Sequence, residues 1–173
     1  GFFSWLCLTI AKAVRYNTTK IFVMFMALAF VLSMFIDSIT VILFLAAITI
    51  TQSKLLQFDP IPVIIAEIFC SNLGGSSTMC GDPPNIIIGT ALHYTFTDFL
   101  FNTGIIAIAS LILMIVFFYM CFRKKLSANN LSEEEIEKMP SPDSTISNKR
   151  SFIISCIIFL CAVVLLVTHG QTE

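Results

Sequence analysis

Oxygen-bearing side chains that could hold a cation or a proton occur at two places in an otherwise apolar chain. The first group is Asp37, Ser38 and Thr40, and the second lies between Asn72 and Asn85. Carboxylate, hydroxyl and amide oxygens are the ligands that hard cations prefer. An aspartate at membrane depth can also exchange a proton. The two groups therefore predict the binding of a small cation or a proton inside a membrane.

The composition indicates the surroundings of these residues. Of 173 residues, 57% are hydrophobic and 12% are charged, whereas a soluble domain carries about 25% charged residues. This surface is too apolar for a water-facing globule, so we predict an all-α integral membrane protein with the lipid bilayer as its partner. The formal net charge of -1 says nothing about partners, because the charges are unevenly spread, but the absence of a basic face in the sequence argues against nucleic acid as a partner.

Basic residues define an expected orientation. The ten Lys and Arg residues fall at positions 12–20, at Lys54 and at 123–150. Short loops rich in Lys and Arg face the cytoplasm. We therefore expect residues 12–20, 54 and 123–150 to be cytoplasmic in a multi-pass protein.

The segment between the first two basic positions is too short for two full spans of about 20 residues each. Both of its ends are expected on the cytoplasmic side, so residues 21–53 predict a re-entrant hairpin of two half-helices, 21–35 and 39–53. The side chain of Asp37 or Ser38 would cap the second half-helix at the tip. The alternative is one ordinary span, which leaves Asp37 in mid-helix.

A broken helix is predicted next, at 61–93. The sequence from 71 to 85 contains three glycines and two prolines, which disfavour regular helix. Irregular backbone at membrane depth occurs where it is buried in protein or lines a cavity. A continuous span at 102–122, a polar cytoplasmic loop at 126–150 and a further span beginning at 151 complete the predicted order.

The ends of broken helices have their own chemistry. N–H groups behind Pro84 would carry partial positive charge and could hold an anion. Carbonyls of a half-helix ending near Cys70 would suit a cation such as Na⁺. Alternatives remain open: Asp37 could be only a helix cap, Asp82 could be only a turn-former and cap, and Glu67 could be a proton site or a buried hydrogen-bonding partner.

Two sequence runs carry a family resemblance. The run SNLGGSSTMCGDPPNIIIG at 71–89 resembles the ion-transporter superfamily, and LSMFIDSITVILFLAAIT at 32–49 resembles the hairpin tip of the same group. That superfamily includes citrate and dicarboxylate carriers, arsenite pump membrane subunits, NhaD-type sodium/proton antiporters and the melanosomal P protein. The resemblance covers about residues 1–125. Ser38 stands where the family pattern usually has Asn.

The resemblance implies a two-repeat secondary carrier, often a homodimer, that moves an anion or oxyacid with Na⁺ or H⁺. It needs no cofactor beyond the coupling ion. It implies Na⁺ contacts from Asp37, Ser38, Thr40, Asn72, Thr78 and Asn85. The wider cation and substrate site would add Gly74, Gly75, Gly81, Asp82 and Pro84.

The sequence leaves several readings of the function open. Citrate, a dicarboxylate, arsenite and plain Na⁺/H⁺ exchange all fit these residues.

We expect the chain to be a fragment of a longer transporter. The missing second half would also contribute to the transport site, and residues 151–173 would be the first span of that half. One alternative is a non-transporting relative. Another, which we do not favour, is an intramembrane aspartyl protease with Asp37 and Asp82 as its pair, since Gly81 and Asp82 resemble part of a GxGD motif; we expect no enzyme.

Overall fold

A computed structural model describes residues 2–126 and 149–169 of the chain, and side chains within 5–125 and 150–165. Throughout these residues the regular secondary structure is helical. The helices are α1 (Phe2–Ala13), α2 (Thr18–Ser33), α3 (Ser38–Leu56), α4 (Pro60–Ser76), α5 (Pro83–Leu92), α6 (Phe96–Phe99), α7 (Ile105–Leu126) and α8 (Lys149–His169), and a π-helical turn, Leu100–Gly104, joins α6 to α7.

Two of the described helical stretches are long and apolar enough to cross a bilayer, Ser38–Leu56 and Phe96–Lys125. Large apolar side chains of the second stretch face outward: Phe101 is 68% exposed and Leu113 is 70% exposed. In water such a surface would be unfavourable, whereas lipid solvates it. The predicted all-α membrane architecture is therefore confirmed.

Helix α4 is the centre of the described fold, with α2, α3 and α7 packed around it. Between α2 and α4 lies an apolar core in which Phe22, Phe25 and Met26 are fully buried against a helix face that includes Val63 and Ala66. This packing fixes α4 firmly enough to position the polar residues at its end.

Contacts along α4 and α7 establish that these helices are antiparallel. Near the start of α4, Asp59 lies 3.6 Å from Lys125. Farther along, the rings of Phe69 and Phe118 have centroids 5.5 Å apart. Residues beyond the end of α4 then meet the π-helical turn at the start of α7.

Two interruptions correspond to the predicted hairpin tip and broken helix. They are called here the first break (residues 34–38, between α2 and α3 and including the first residue of α3) and the second break (residues 77–82, between α4 and α5). Helix α3, at 19 residues, is longer than the predicted half-helix 39–53. Since α3 could cross a bilayer by itself, the re-entrant path stays a prediction.

The second break is shorter than predicted. Helix α4 continues through Gly74 and Gly75 to Ser76, and α5 begins at Pro83 rather than after Pro84. The prediction of irregular backbone over all of 71–85 is therefore wrong at both ends. Proline is favoured in the first helical turn because its missing N–H would have no partner there.

The remaining boundaries differ in detail. The span predicted at 102–122 lies within a longer helical stretch, Phe96–Lys125, made of α6, the π-helical turn and α7, and the helix predicted from 151 begins at Lys149. Most of the predicted cytoplasmic loop 126–150 lies outside the described residues. The division into a transport unit and the opening span of a second half stays a prediction.

Candidate transport site

The two breaks contact each other through side-chain hydrogen bonds. Ser38 Oγ donates to Asp82 Oδ1 at 2.7 Å, although the residues are 44 positions apart in the chain. Thr78 Oγ1 in the second break donates to the carbonyl of Met34 in the first, at 2.5 Å. The structure thus brings the two polar groups found in the sequence into one site.

Asp37 has the role of a helix cap. Its Oδ2 accepts hydrogen bonds from the backbone N–H of Thr40 at 3.1 Å and from Thr40 Oγ1 at 3.2 Å. An aspartate in this position satisfies one of the free N–H groups at a helix start. The cap interpretation of Asp37 is confirmed, and a role in cation binding stays a prediction.

Asp82 occupies the equivalent position before α5 but behaves differently. Its side chain makes no capping hydrogen bond to that helix. The carboxylate instead accepts the Ser38 hydroxyl across the site. Asp82 therefore forms the turn into α5 through its backbone carbonyl, as the sequence allowed, but its side chain does not cap that helix.

The start of α5 offers fewer N–H groups than the sequence analysis expected. Pro83 and Pro84 have none, and the N–H of Asn85 donates to the carbonyl of Asp82 at 3.0 Å. The first three helical positions therefore provide no free donor. An anion bound at this helix end would need donors other than these three.

Carbonyls at the end of α4 are also occupied by protein donors. Gly74 O accepts from the backbone N–H of Ser77 at 3.1 Å and from Ser77 Oγ at 2.6 Å. The Asn85 side-chain amide donates to Gly75 O and to Thr78 O, each at 2.9 Å. With both amide hydrogens engaged, the oxygen is the only side-chain polar atom that Asn85 has left for an ion.

Three glycines make the close approach of these segments possible. A Cβ atom at Gly74 would overlap the backbone carbonyl of Phe30, and one at Gly75 would lie 2.7 Å from Asp82 Cγ. A Cβ at Gly81 would lie 2.6 Å from Gly75 Cα. Small residues allow membrane helices to approach to backbone contact, so these positions are structural supports of the site.

Asn72 and Pro84 are placed less directly. Pro84 is exposed at the start of α5. Asn72 is exposed in an apolar groove of about 400 Å³ between α4 and α7, together with Phe69, Leu73, Ser110, Leu113 and Met114. No hydrogen bond among the described residues joins the Asn72 side chain to either break. Its predicted part in the cation site therefore has no support in this arrangement.

Two serines in the site were missed by the sequence analysis. Ser33 Oγ and Ser71 Oγ form a buried hydrogen bond, and Ser71 Oγ also lies 3.1 Å from the carbonyl of Ser38. Both side chains are fully buried. The sequence does place a serine close to each of the two polar groups, Ser33 before the first and Ser71 before the second. A serine in an apolar helix, however, often forms a hydrogen bond with its own backbone and then has no role in a site. Sequence alone therefore did not single them out.

The two aspartates do not form the paired carboxylates that the protease alternative requires. Asp37 is bonded to Thr40 and Asp82 to Ser38. Among the described residues, no hydrogen bond joins the two carboxylates. A shared proton between like carboxylates, the basis of aspartyl protease chemistry, thus has no counterpart in this geometry.

Sequence comparisons match the chain to a transporter family and to several individual proteins. A family model described as citrate transporter, CitMHS, matches residues 1–172. A 46 kDa membrane protein of Mycobacterium leprae is 32% identical over 114 residues, covering 65% of this chain and 27% of that protein. The magnetosome protein MamN of Paramagnetospirillum magneticum is 34% identical over 118 residues, covering 68% and 27%. The P protein of Homo sapiens is 38% identical over 88 residues, covering 51% and 10%.

No solved structure matches the chain. The chain spans about a quarter of the length of the first curated relatives that it matches, at 27% of each. Several of these relatives are described as uncharacterized transporters, including one from Mycobacterium tuberculosis. The family model covers nearly the whole sequence, and the chain therefore belongs to the citrate transporter (CitMHS) family of membrane proteins.

Proposed function

We propose that the chain is part of an ion-coupled secondary transporter whose coupling cation binds where the two breaks meet. The observation that carries this proposal is the hydrogen bond from Ser38 to Asp82, which joins the breaks through a carboxylate. Broken helices that meet inside a membrane are the usual sites of substrate and ion binding in secondary transporters. Membership of the citrate transporter family supports the same class of function.

Asp82 would supply the negative charge of the cation site. Its carboxylate accepts one described hydrogen bond, from a hydroxyl. The Ser38 oxygen also has lone pairs, so a cation such as Na⁺ could be held between the two side chains. Because one ligand comes from each break, occupation of the site would hold α3 and α5 together. Binding would thereby be coupled to any relative movement of these helices.

The class of substrate is proposed from the distribution of basic residues and from the family description. No Lys or Arg occurs between residues 55 and 122, so the second break has no basic side chain of its own for an anion. A carboxylate such as citrate would then bind beside the cation, whose charge offsets its own. The family description favours a carboxylate over a metalloid oxyacid.

We further propose that a second half of the full-length protein completes the substrate site, and that two copies form a homodimer.

Cation-dependent uptake of citrate by the full-length protein tests the proposal. Asp82→Asn should reduce uptake by about tenfold or more, because a charge-assisted contact contributes about 1.5–3 kcal/mol. Ser38→Ala should raise the cation concentration needed for half-maximal uptake. Asp59→Asn is the matched control, since it removes a carboxylate from an exposed ion pair with Lys125 and should leave the cation dependence unchanged.

Two results would contradict this assignment. Unchanged uptake in folded Asp82→Asn protein would remove the carboxylate from the site. An equal loss in Asp59→Asn would mean that uptake depends on the overall negative charge of this unit and not on a defined cation site.

A further inference from the structure

A second polar cluster lies inside the helix packing, apart from the breaks. Glu67, in α4, is 1% exposed, and its Oε1 accepts a hydrogen bond of 2.6 Å from Thr49 Oγ1 of α3. Thr49 is fully buried. The other carboxyl oxygen, Oε2, is buried and has no hydrogen-bond partner in the described part of the chain.

Gln52 adds further polar atoms without partners. It follows Thr49 by one turn of α3 and is 2% exposed. Its Oε1 and Nε2 are both buried and, among the described residues, neither has a hydrogen-bond partner. Residues three apart share a helix face, so Gln52 lies on the side of α3 from which Thr49 reaches Glu67. Buried polar atoms are normally paired, and this group is therefore an exception that requires an explanation.

The ionisable neighbours of Glu67 provide no balancing charge. The nearest along its own helix is Cys70, one turn away and fully buried, and Cys7 of α1 is buried in the same core. Basic side chains of α2, α3 and α7 are all exposed near helix ends: Lys20, Lys54, Arg123, Lys124 and Lys125. No salt bridge to Glu67 is formed within the described residues.

We propose that Glu67, Thr49 and Gln52 form a proton-binding site, at which the Glu67 carboxylate takes up one proton to become a neutral carboxylic acid and later releases it. An unpaired buried carboxylate is strongly disfavoured, whereas the neutral acid carries no charge to bury and gains an O–H donor for the polar atoms around it. This inference rests on the proposed transport function and names H⁺ as an ion that the carrier uses.

Helix α3 connects the proposed proton site to the candidate transport site, because it contributes a residue to each. The same helix carries Ser38, which contacts Asp82, and Thr49, which contacts Glu67. Movement of α3 relative to its neighbours would therefore alter both contacts. Loading of the proton site and opening of the breaks are linked in this way without any direct contact between Glu67 and Asp82.

Carbodiimide labelling of the full-length protein in membranes tests the site directly. Dicyclohexylcarbodiimide reacts with protonated carboxyl groups in apolar surroundings, and mass spectrometry locates the adduct. We expect Glu67 to be labelled at neutral pH, with labelling that decreases once the pH is high enough to ionise the carboxyl group. Glu67→Gln removes the adduct, and the exposed carboxylate of Asp59 serves as the unlabelled control.

Thr49→Val provides a second readout that does not depend on replacing the carboxyl group. The hydroxyl donates to Glu67 and so stabilises its charged form. Without it, labelling should persist to higher pH, whereas a merely structural role would leave the pH profile unchanged. This variant also keeps the test valid if Glu67→Gln fails to fold.

Two outcomes would overturn the inference: no adduct at Glu67 in folded protein at any pH, or an unaltered pH profile in Thr49→Val. Labelling requires no transport, so the two proposals can fail separately. A labelled Glu67 together with normal uptake in Asp82→Asn would remove only the proposed cation site at the breaks. The reverse result would remove only the proton site.

Discussion

Asp37 and Asp82 show how two identical side chains before two helices acquire different roles. The backbone N–H and the hydroxyl of Thr40 both donate hydrogen bonds to Asp37 Oδ2. Asp82 makes no bond to its own helix and accepts a hydroxyl from the facing break. At the scale of the residue, the hydrogen-bond partners distinguish a carboxylate that caps its own helix from one that faces the other break.

A pair of substitutions at Asp37 separates capping from ion binding. Asp37→Ala should lower the free energy of unfolding by about 1 kcal/mol, because the cap is lost, whereas Asp37→Asn should retain most of it. Denaturant titration followed by circular dichroism measures both. If Asp37 is only a cap, Asp37→Asn also retains cation-dependent uptake. A stable Asp37→Asn protein that has lost its cation dependence would instead place Asp37 among the ion ligands.

At the scale of the element, the site depends on how closely α4 approaches α2. Gly74 faces the backbone of Phe30, which cannot move aside without displacing α2. Gly89 in α5 faces only the flexible side chain of Met79, whose sulfur would lie 2.9 Å from an added Cβ. The same substitution therefore meets a rigid neighbour in one helix and a mobile neighbour in the other.

Gly74→Ala and Gly89→Ala form a matched pair for this contact. Gly74→Ala should destabilise the protein by about 1–3 kcal/mol, as expected for overpacking. Gly89→Ala should change stability by less than about 1 kcal/mol, because the gain in helix propensity offsets a small shift of Met79. Equal stability of both variants in detergent unfolding experiments would contradict the close approach of α2 and α4.

Sequence could predict where the helices break but not which groups meet there. Glycines and prolines near Asp82 indicated the second break, and Asp37 indicated a helix start. The pairing of Ser33 with Ser71 depends on packing between α2 and α4, for which the sequence carries no local signal. Asn72 is the opposite case: its type suited a cation site, but it lies in the groove between α4 and α7.

At the scale of the whole molecule, the expected orientation remains a prediction with a direct test. Single cysteines at Lys54 and Ser38 would be introduced into full-length protein lacking native cysteines, because Cys121 and Cys161 are exposed and would react. Cysteine at the exposed position 54 should be labelled from the cytoplasm by an impermeant maleimide. Cysteine at position 38, which is 5% exposed as Ser38, should react slowly and more slowly still with Na⁺ or citrate.

The opposite labelling pattern would change the topology. Reaction of position 54 from outside only would make residues 21–53 an ordinary crossing segment. A reactivity at position 38 that is indifferent to both ligands would separate the first break from the transport site.

The π-helical turn at Leu100–Gly104 sets the rotational phase of the long helix that follows it. A Cβ added at Gly104 would lie 3.3 Å from the carbonyl oxygen of Ser77, and the ring of Phe118 lies 5.5 Å from that of Phe69, so two points along one helix must match α4 and the residue after it at once. One residue added or removed between these contacts would rotate one of them by about 100°. Residues 100–103 of the wider π turn lie before both contacts and can absorb such a change. Length variation in related proteins should therefore concentrate at this turn, while the spacing from Gly104 to Phe118 stays constant.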